Sequence, residues 1–200
     1  MEQPINCRDW PVNVAEARMG FECGVRAPII AFRKSVQSHE GEFMDLEGGC
    51  ACRNLRYKLT ASPLIVHACH CRDCQRVTGS AFVINIWIER KFVEAGPTAP
   101  KSFRLAGGSG QKHDVFFCEN RGTYLWSYYH GAPGDALFVR AGTLDKPEVV
   151  RPDVHIFTRS KLPWLNLPED APAFETFYPI EQVWSSESKE RLRRNRAEAK

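Results

Sequence analysis

The 200-residue chain has no apolar run near the ~20 residues a membrane-spanning helix needs, so a transmembrane reading is excluded. It also lacks a strong charge of either sign. A formal net charge of +3 does not by itself argue for nucleic acid or a membrane surface. The opening stretch MEQPINCRDW has no basic segment followed by an apolar one, so no secretory signal is visible. Helical periodicity is scarce and no repeat of fixed period is present. Gly107-Gly108-Ser109-Gly110 lacks the lysine and the strand–helix setting of a phosphate loop and is read as a flexible turn. What the chain has is cysteine: eight in all, five of them between Cys50 and Cys74.

An even number of cysteines suggests disulfides in a small secreted chain, but nothing here indicates export, and this length can bury a core without staples. Spacing argues the same way. Cys50 and Cys52 form C-x-C, and Cys69, Cys71 and Cys74 form C-x-C-x-x-C. Cysteines this close rarely bridge each other, because the short loop strains the disulfide. They suit a metal instead: in an extended segment residues i and i+2 face the same way, and a C-x-x-C turns its second sulfur back on the first. Thiolates in tetrahedral array select zinc in an intracellular setting. Cys7 and Cys23 stand alone among polar residues and are read as ordinary thiols.

Residues 1–43 show neither strand nor helix pattern for long and are read as a poorly ordered leader. Within it, Ala15–Met19 suits a helical turn and Pro28–Phe32 a short strand; Met44 is an alternative start. From residue 44 to about 180 the text changes to short β segments with turn punctuation. These are Leu55–Leu59, Leu64–Ala68, Ala81–Ile88, Lys101–Leu105, His113–Cys118, Tyr124–Tyr128, Leu137–Arg140 and His155–Arg159. The expectation is an all-β domain of stacked short antiparallel sheets with little helix. Residues 181–200 form a charged basic tail: within 187–200 six basic residues stand against Glu187, Glu190 and Glu198, which equals the whole net charge. A solvated end is favoured there over a nucleic-acid arm.

Read together, Gly48-Gly49-Cys50-Ala51-Cys52, Cys69-His70-Cys71-Arg72-Asp73-Cys74 and Phe117-Cys118-Glu119-Asn120-Arg121-Gly122-Thr123 resemble one family. It is the glutathione-dependent formaldehyde-activating enzyme (GFA) family, whose domain also occurs in centromere protein V. The stretches His155–Trp164 and Asp170–Glu175 resemble its C-terminal signature, so the likeness runs over roughly 46–177. The resemblance implies a Mss4-like β-fold with two zinc sites. Cys50, Cys52 and Cys118 would belong to a four-cysteine structural site, and Cys69, Cys71 and Cys74 to a second zinc with an open fourth position.

The sequence departs from the family at the first site, where Arg121 stands in place of the fourth cysteine; a guanidinium cannot ligate. Zinc could remain on three thiolates, completed by water, Cys7, Cys23 or His113, with Arg121 balancing the charge, or it could be gone. Loss or weakening is expected. The second site is the functional expectation: three ligands and a vacancy is the arrangement of catalytic zinc. Such an ion would lower the pKa of an incoming thiol, and the resemblance points to glutathione and an aldehyde such as formaldehyde. The implied activity is of carbon–sulfur lyase type.

Arg72 and Arg76 could hold glutathione carboxylates, and Trp164 could line a pocket beside Phe82 and Trp87. His67, His70 and His155 are expected to be structural. The chain is expected to be cytoplasmic. The rival reading is a non-catalytic zinc-stabilised module that uses the tail for nucleic acid or a protein partner; a weaker one is a metal-trafficking or redox protein.

Overall fold

The computed structural model describes residues 45–198. The leader 1–43, with Cys7, Cys23, Ala15–Met19 and Pro28–Phe32, and the alternative start at Met44 lie outside the described residues. Ten short strands carry the fold: β1 (Leu46–Gly49), β2 (Arg56–Leu59), β3 (Ile65–Cys69), β4 (Val83–Glu89), β5 (Val93–Ala95), β6 (Lys101–Ala106), β7 (Lys112–Phe117), β8 (Tyr124–Tyr129), β9 (Ala136–Arg140) and β10 (Val154–Ile156). Helix is confined, among the described residues, to α1 (Arg72–Thr78), α2 (Ile180–Val183), α3 (Ser186–Glu198) and a few single turns. The expected mostly-β class with little helix therefore holds.

The strands form a three-stranded sheet, β1-β2-β5, and a seven-stranded sheet, β10-β3-β4-β9-β8-β7-β6. One pairing departs from the expected antiparallel pattern: β10 runs parallel to β3, with His155 opposite Ala68 and Ile156 opposite Cys69. A parallel neighbour needs a long crossover, and the whole chain between β3 and β10 supplies it.

Strand β4 shows why the larger sheet is covered on both faces. Alternation puts Ile84, Ile86 and Ile88 on one face and Val83, Asn85, Trp87 and Glu89 on the other. On the first face Ile86 and Ile88 join Val66, Val139 and Leu125 in a core closed by Tyr57 and Leu59 of the small sheet. On the second face Trp87 and Val83 join Val154, Tyr178, Trp184 and Leu192 from the C-terminal segment. Each large apolar side chain buried this way contributes about 1.5–3 kcal/mol. A strand covered on both sides reads as the near-continuous apolar run seen in the sequence.

Strand β1 has no such pattern; glycine permits it. A Cβ at Gly48 would lie 2.5 Å from the Tyr57 ring and 2.7 Å from the Thr143 carbonyl oxygen. The close approach of β1 to β2 requires the missing side chain.

Residues 186–198, expected as a solvated end, form α3 with one face docked. Leu192 is buried in the second core, and Asn195 accepts from the Asp135 amide at 2.7 Å while donating to the Asp135 carbonyl at 3.1 Å. Arg191 makes a two-pronged ion pair with Glu89, at 3.0 and 2.6 Å, and Glu89 is only 2% exposed. The physical reason is Glu89 itself: a buried carboxylate at the end of β4 needs a partner, and α3 brings one.

Candidate metal centres

The six cysteines of the described residues are free and gather into two triads. Within each triad the sulfurs lie within 4.8 Å of one another. A tetrahedral ion with bonds of ~2.3 Å needs sulfurs about 3.8 Å apart. Both donor sets therefore fit a thiophilic metal in size and chemistry.

The first triad, Cys50, Cys52 and Cys118, belongs to the core between the two sheets. Cys50 follows β1 and begins a turn in which Arg53 N–H donates to the Cys50 carbonyl at 2.8 Å. Cys118 follows β7 and begins a matching turn, closed by the Gly122 amide at 2.7 Å with Gly122 at φ 66°. The two turns bring the Cys52 sulfur to 3.3 Å from that of Cys50 and 3.5 Å from that of Cys118.

Arg121 sits on the second turn, where a fourth sulfur would point back, but its side chain is exposed. The group that does approach is Thr123, whose hydroxyl is 3.2 Å from the Cys50 sulfur. Burial opposes ionisation of Cys50, yet the Thr123 hydrogen bond and those of Cys52 and Cys118 bring its thiol down to about 7. Burial pushes Cys118 up. His113, one of the expected stray ligands, lies instead beside Tyr124, 3.5 Å from its hydroxyl.

The second triad, Cys69, Cys71 and Cys74, lies on the opposite face, in the core that includes Trp87 and Tyr178. Cys69 ends β3, paired with Val83 of β4. Cys71 is the N-cap of α1: it has extended backbone, and its sulfur accepts from the Cys74 amide at 3.3 Å. Cys74 lies in the first turn of α1. The extended C-x-C of the sequence reading is thus a strand end that turns at once into a helix. Gln75 fixes that junction by donating to the carbonyls of His70 at 2.7 Å and Ser160 at 3.0 Å.

Crowding separates the three thiols. Hydrogen bonds from Cys69 and then Cys74 hold Cys71 down to about 2, and the same bond to Cys71 pushes Cys69 up. Cys74 ends at about 12, its bond with Cys69 being outweighed by its bond with Cys71 and by burial. One thiol is ready to carry charge and two hold their protons. A dication would displace those protons and offset most of the charge of the three thiolates.

The histidines near this triad are buried and hydrogen-bonded, although His70 Nδ1 has no partner. His67 Nε2 is 2.6 Å from the Tyr178 hydroxyl, which also accepts from Trp184 Nε1 at 2.7 Å, so the chain of bonds ties β3 to the C-terminal segment. Burial lowers the His67 pKa to about 3 and that of His70 to about 4, keeping both neutral. His70 Nε2 pairs with His155 Nδ1 at 3.0 Å.

Two cavities flank this region. One, of about 470 Å³, lies between α1 and the sheet ends, walled by Val77, Thr78, Phe82, Thr123, Tyr124 and Arg140 among others. The other, of about 270 Å³, is more apolar and is walled by His70, Phe82, His155, Leu165 and Leu167 among others. Phe82 lines both, whereas Trp87 is core at 1% exposure. Arg72, Arg76 and Trp164 line neither: Arg72 is exposed and donates to Gln75 at 2.8 Å, Arg76 is exposed, and Trp164 is 68% exposed. The wall residues that sequence reasoning passed over are Tyr124, Arg140 and Thr123. Arg140 left one signal, a charge closing the otherwise apolar run Ala136-Leu137-Phe138-Val139.

A mostly-β domain with two convergent cysteine triads has the donor sets that could hold two metal ions. Residues 45–160 match the family described as glutathione-dependent formaldehyde-activating enzyme, and the chain belongs to that family. The match stops short of the C-terminal signature beyond residue 160 that the sequence reading included. No curated protein matches the chain. A crystal structure of a Rhodobacter sphaeroides protein is similar at 16% identity over 64% of this chain and 99% of that one, with a TM-score of 0.37. At that score the likeness carries no argument here. No helix among the described residues is long and apolar enough to cross a membrane.

Proposed function

We propose that the chain is a zinc-dependent enzyme of carbon–sulfur lyase type, acting on the adduct of glutathione, or another small thiol, with an aldehyde such as formaldehyde. The observation that carries this reading is the second triad: three sulfurs within 4.8 Å, two of them on half-buried residues, where β3 turns into α1. Cys69, Cys71 and Cys74 would hold a zinc ion, which when bound would lower the pKa of an incoming thiol and favour thiolate near neutral pH.

The chain's own residues do the rest. Cys71, as N-cap, fixes the start of α1, and Gln75 locks that start to His70 and Ser160. Val77 and Thr78 of the same helix wall the larger cavity beside the triad. In the forward direction the thiolate sulfur bonds to the aldehyde carbon and the carbonyl oxygen takes a proton, giving an S-hydroxyalkyl adduct. The reverse step breaks the same carbon–sulfur bond and returns thiol and aldehyde. His67 Nε2 is tied to Tyr178 and His70 Nε2 to His155, and the reading leaves this proton to solvent. The reading places the chain in the cytoplasm, where thiols stay reduced.

Ion pairing in the C-terminal helix supports the enzyme over the nucleic-acid module. Lys189, Arg191 and Arg193 are each paired, with Glu181, Glu89 and Glu190 respectively. The test is turnover of glutathione and formaldehyde by the zinc-loaded chain and by Cys74→Ser. The variant is expected to lose turnover and one bound zinc while keeping its β-sheet signature. A Cys74→Ser chain with full turnover would sink the reading.

A further inference from the structure

Arg140 closes β9 at 6% exposure. Among the described residues no carboxylate lies within ion-pair distance of it. Its partners are neutral: Nη2 donates to the Tyr124 hydroxyl and to Ser127 Oγ at 3.3 Å, and the guanidinium carbon stands 3.9 Å over the Tyr124 ring. Nε is buried with no acceptor at all. Opposite it on β4, in register, stands Asn85, 6% exposed, whose Oδ1 is buried and likewise unpaired. A buried cation without an anion and with an idle donor is costly unless something supplies the missing charge.

The larger cavity is where such an anion fits. Arg140 and Tyr124 form one wall, and Thr78, Ser80 and Thr123 add hydroxyl-bearing side chains. Its volume of about 470 Å³ suits a small ligand. It also adjoins the second triad through two connections. Val77 and Thr78 belong to the helix that carries Cys74, and Val83 is the strand partner of Cys69.

We propose that this cavity is a carboxylate subsite in which the Arg140 guanidinium, oriented by Tyr124 and Ser127, grips a carboxylate of the small thiol whose sulfur is directed to Cys69, Cys71 and Cys74. The proposal rests on the thiol reading above and adds to it the cavity and the residue that recognise the substrate's carboxylate. A guanidinium with Nε free and one Nη engaged still offers donors in the fork that carboxylates accept. The competing role, a counter-ion for the thiolate cluster alone, gives a different result in the following test.

The full chain is titrated calorimetrically with a sulfur-free tripeptide, γ-glutamyl-alanyl-glycine, and with its dimethyl ester. The free acid is expected to bind at least tenfold more tightly than the ester. Arg140→Met is expected to erase that preference and Arg140→Lys to restore part of it. Equal binding of acid and ester, no binding of the acid, or a preference surviving in Arg140→Met would each overturn the proposal. The wild-type comparison stands even if Arg140→Met fails to fold. Because the peptide has no sulfur, it tests the subsite apart from the thiol reading. Peptide binding without turnover of glutathione and formaldehyde would refute the enzyme while leaving the subsite standing.

Discussion

The two cysteine triads share ligand type and ligand number, and they differ in what surrounds the fourth position. Around Cys50, Cys52 and Cys118 the two sheets close in, the neighbours are Leu55, Tyr57 and Leu125, and the nearby polar group is the Thr123 hydroxyl. Around Cys69, Cys71 and Cys74 the backbone turns from strand to helix beside a cavity walled in part by Arg140, whose guanidinium Nε has no acceptor. A site set between packed sheets contributes to folding; a site beside a polar cavity has room for a ligand. The difference lies in the elements each triad joins, since the cysteines themselves are the same.

The largest expected effect tests what supports the second face. Removing the charge from Arg191 leaves Glu89 buried without its partner, which costs about 3–5 kcal/mol. Arg191→Ala should therefore lower the thermal midpoint sharply, whereas the double change Arg191→Met with Glu89→Leu should recover most of the loss. An Arg191→Ala chain as stable as the parent would show that α3 is not what holds this face. Calorimetric melting reads both.

The next effect sharpens the first triad. Arg121→Cys places a fourth sulfur on the turn that Cys118 begins, and the exposed arginine gives up nothing packed. If the present triad holds zinc weakly, the variant should retain one more zinc through dialysis against a mild chelator. Its melting should then rise with free zinc by about 3 kcal/mol at a hundredfold excess over Kd. Unchanged zinc retention would mean that the three thiols with Thr123 already bind as well as four.

Much of this comparison was legible from spacing. The cysteines at 50 and 52, at 69, 71 and 74, and at 118 do fall into the two expected groups, and each of the eight expected strands is present within a few residues. Periodicity missed β1, because Leu46-Glu47-Gly48-Gly49 carries no apolar alternation and forms only where Gly48 lets Tyr57 approach. It missed α1, whose seven residues bury no residue fully and whose cap is a cysteine, a residue otherwise read as a ligand alone.

The docking of α3 escaped for a different reason. Its mean composition is polar, and its attachment runs through Leu192, Asn195 and the Arg191–Glu89 pair, contacts that local pattern does not encode. Arg140 escaped likewise: the meaning of a charge at a strand end depends on whether its neighbours in space include a carboxylate. Arg72 and Arg76, chosen for nearness in sequence to the triad, sit on the exposed side of α1.

The account turns on the second triad, and not the first, accepting a thiol. The direct measurement is the sulfur-to-metal charge-transfer absorption of the cobalt-substituted chain on addition of glutathione, in Cys74→Ser and Cys52→Ser variants side by side. The absorption should grow with glutathione in Cys52→Ser and stay flat in Cys74→Ser. Growth that persists in Cys74→Ser and vanishes in Cys52→Ser would contradict the account.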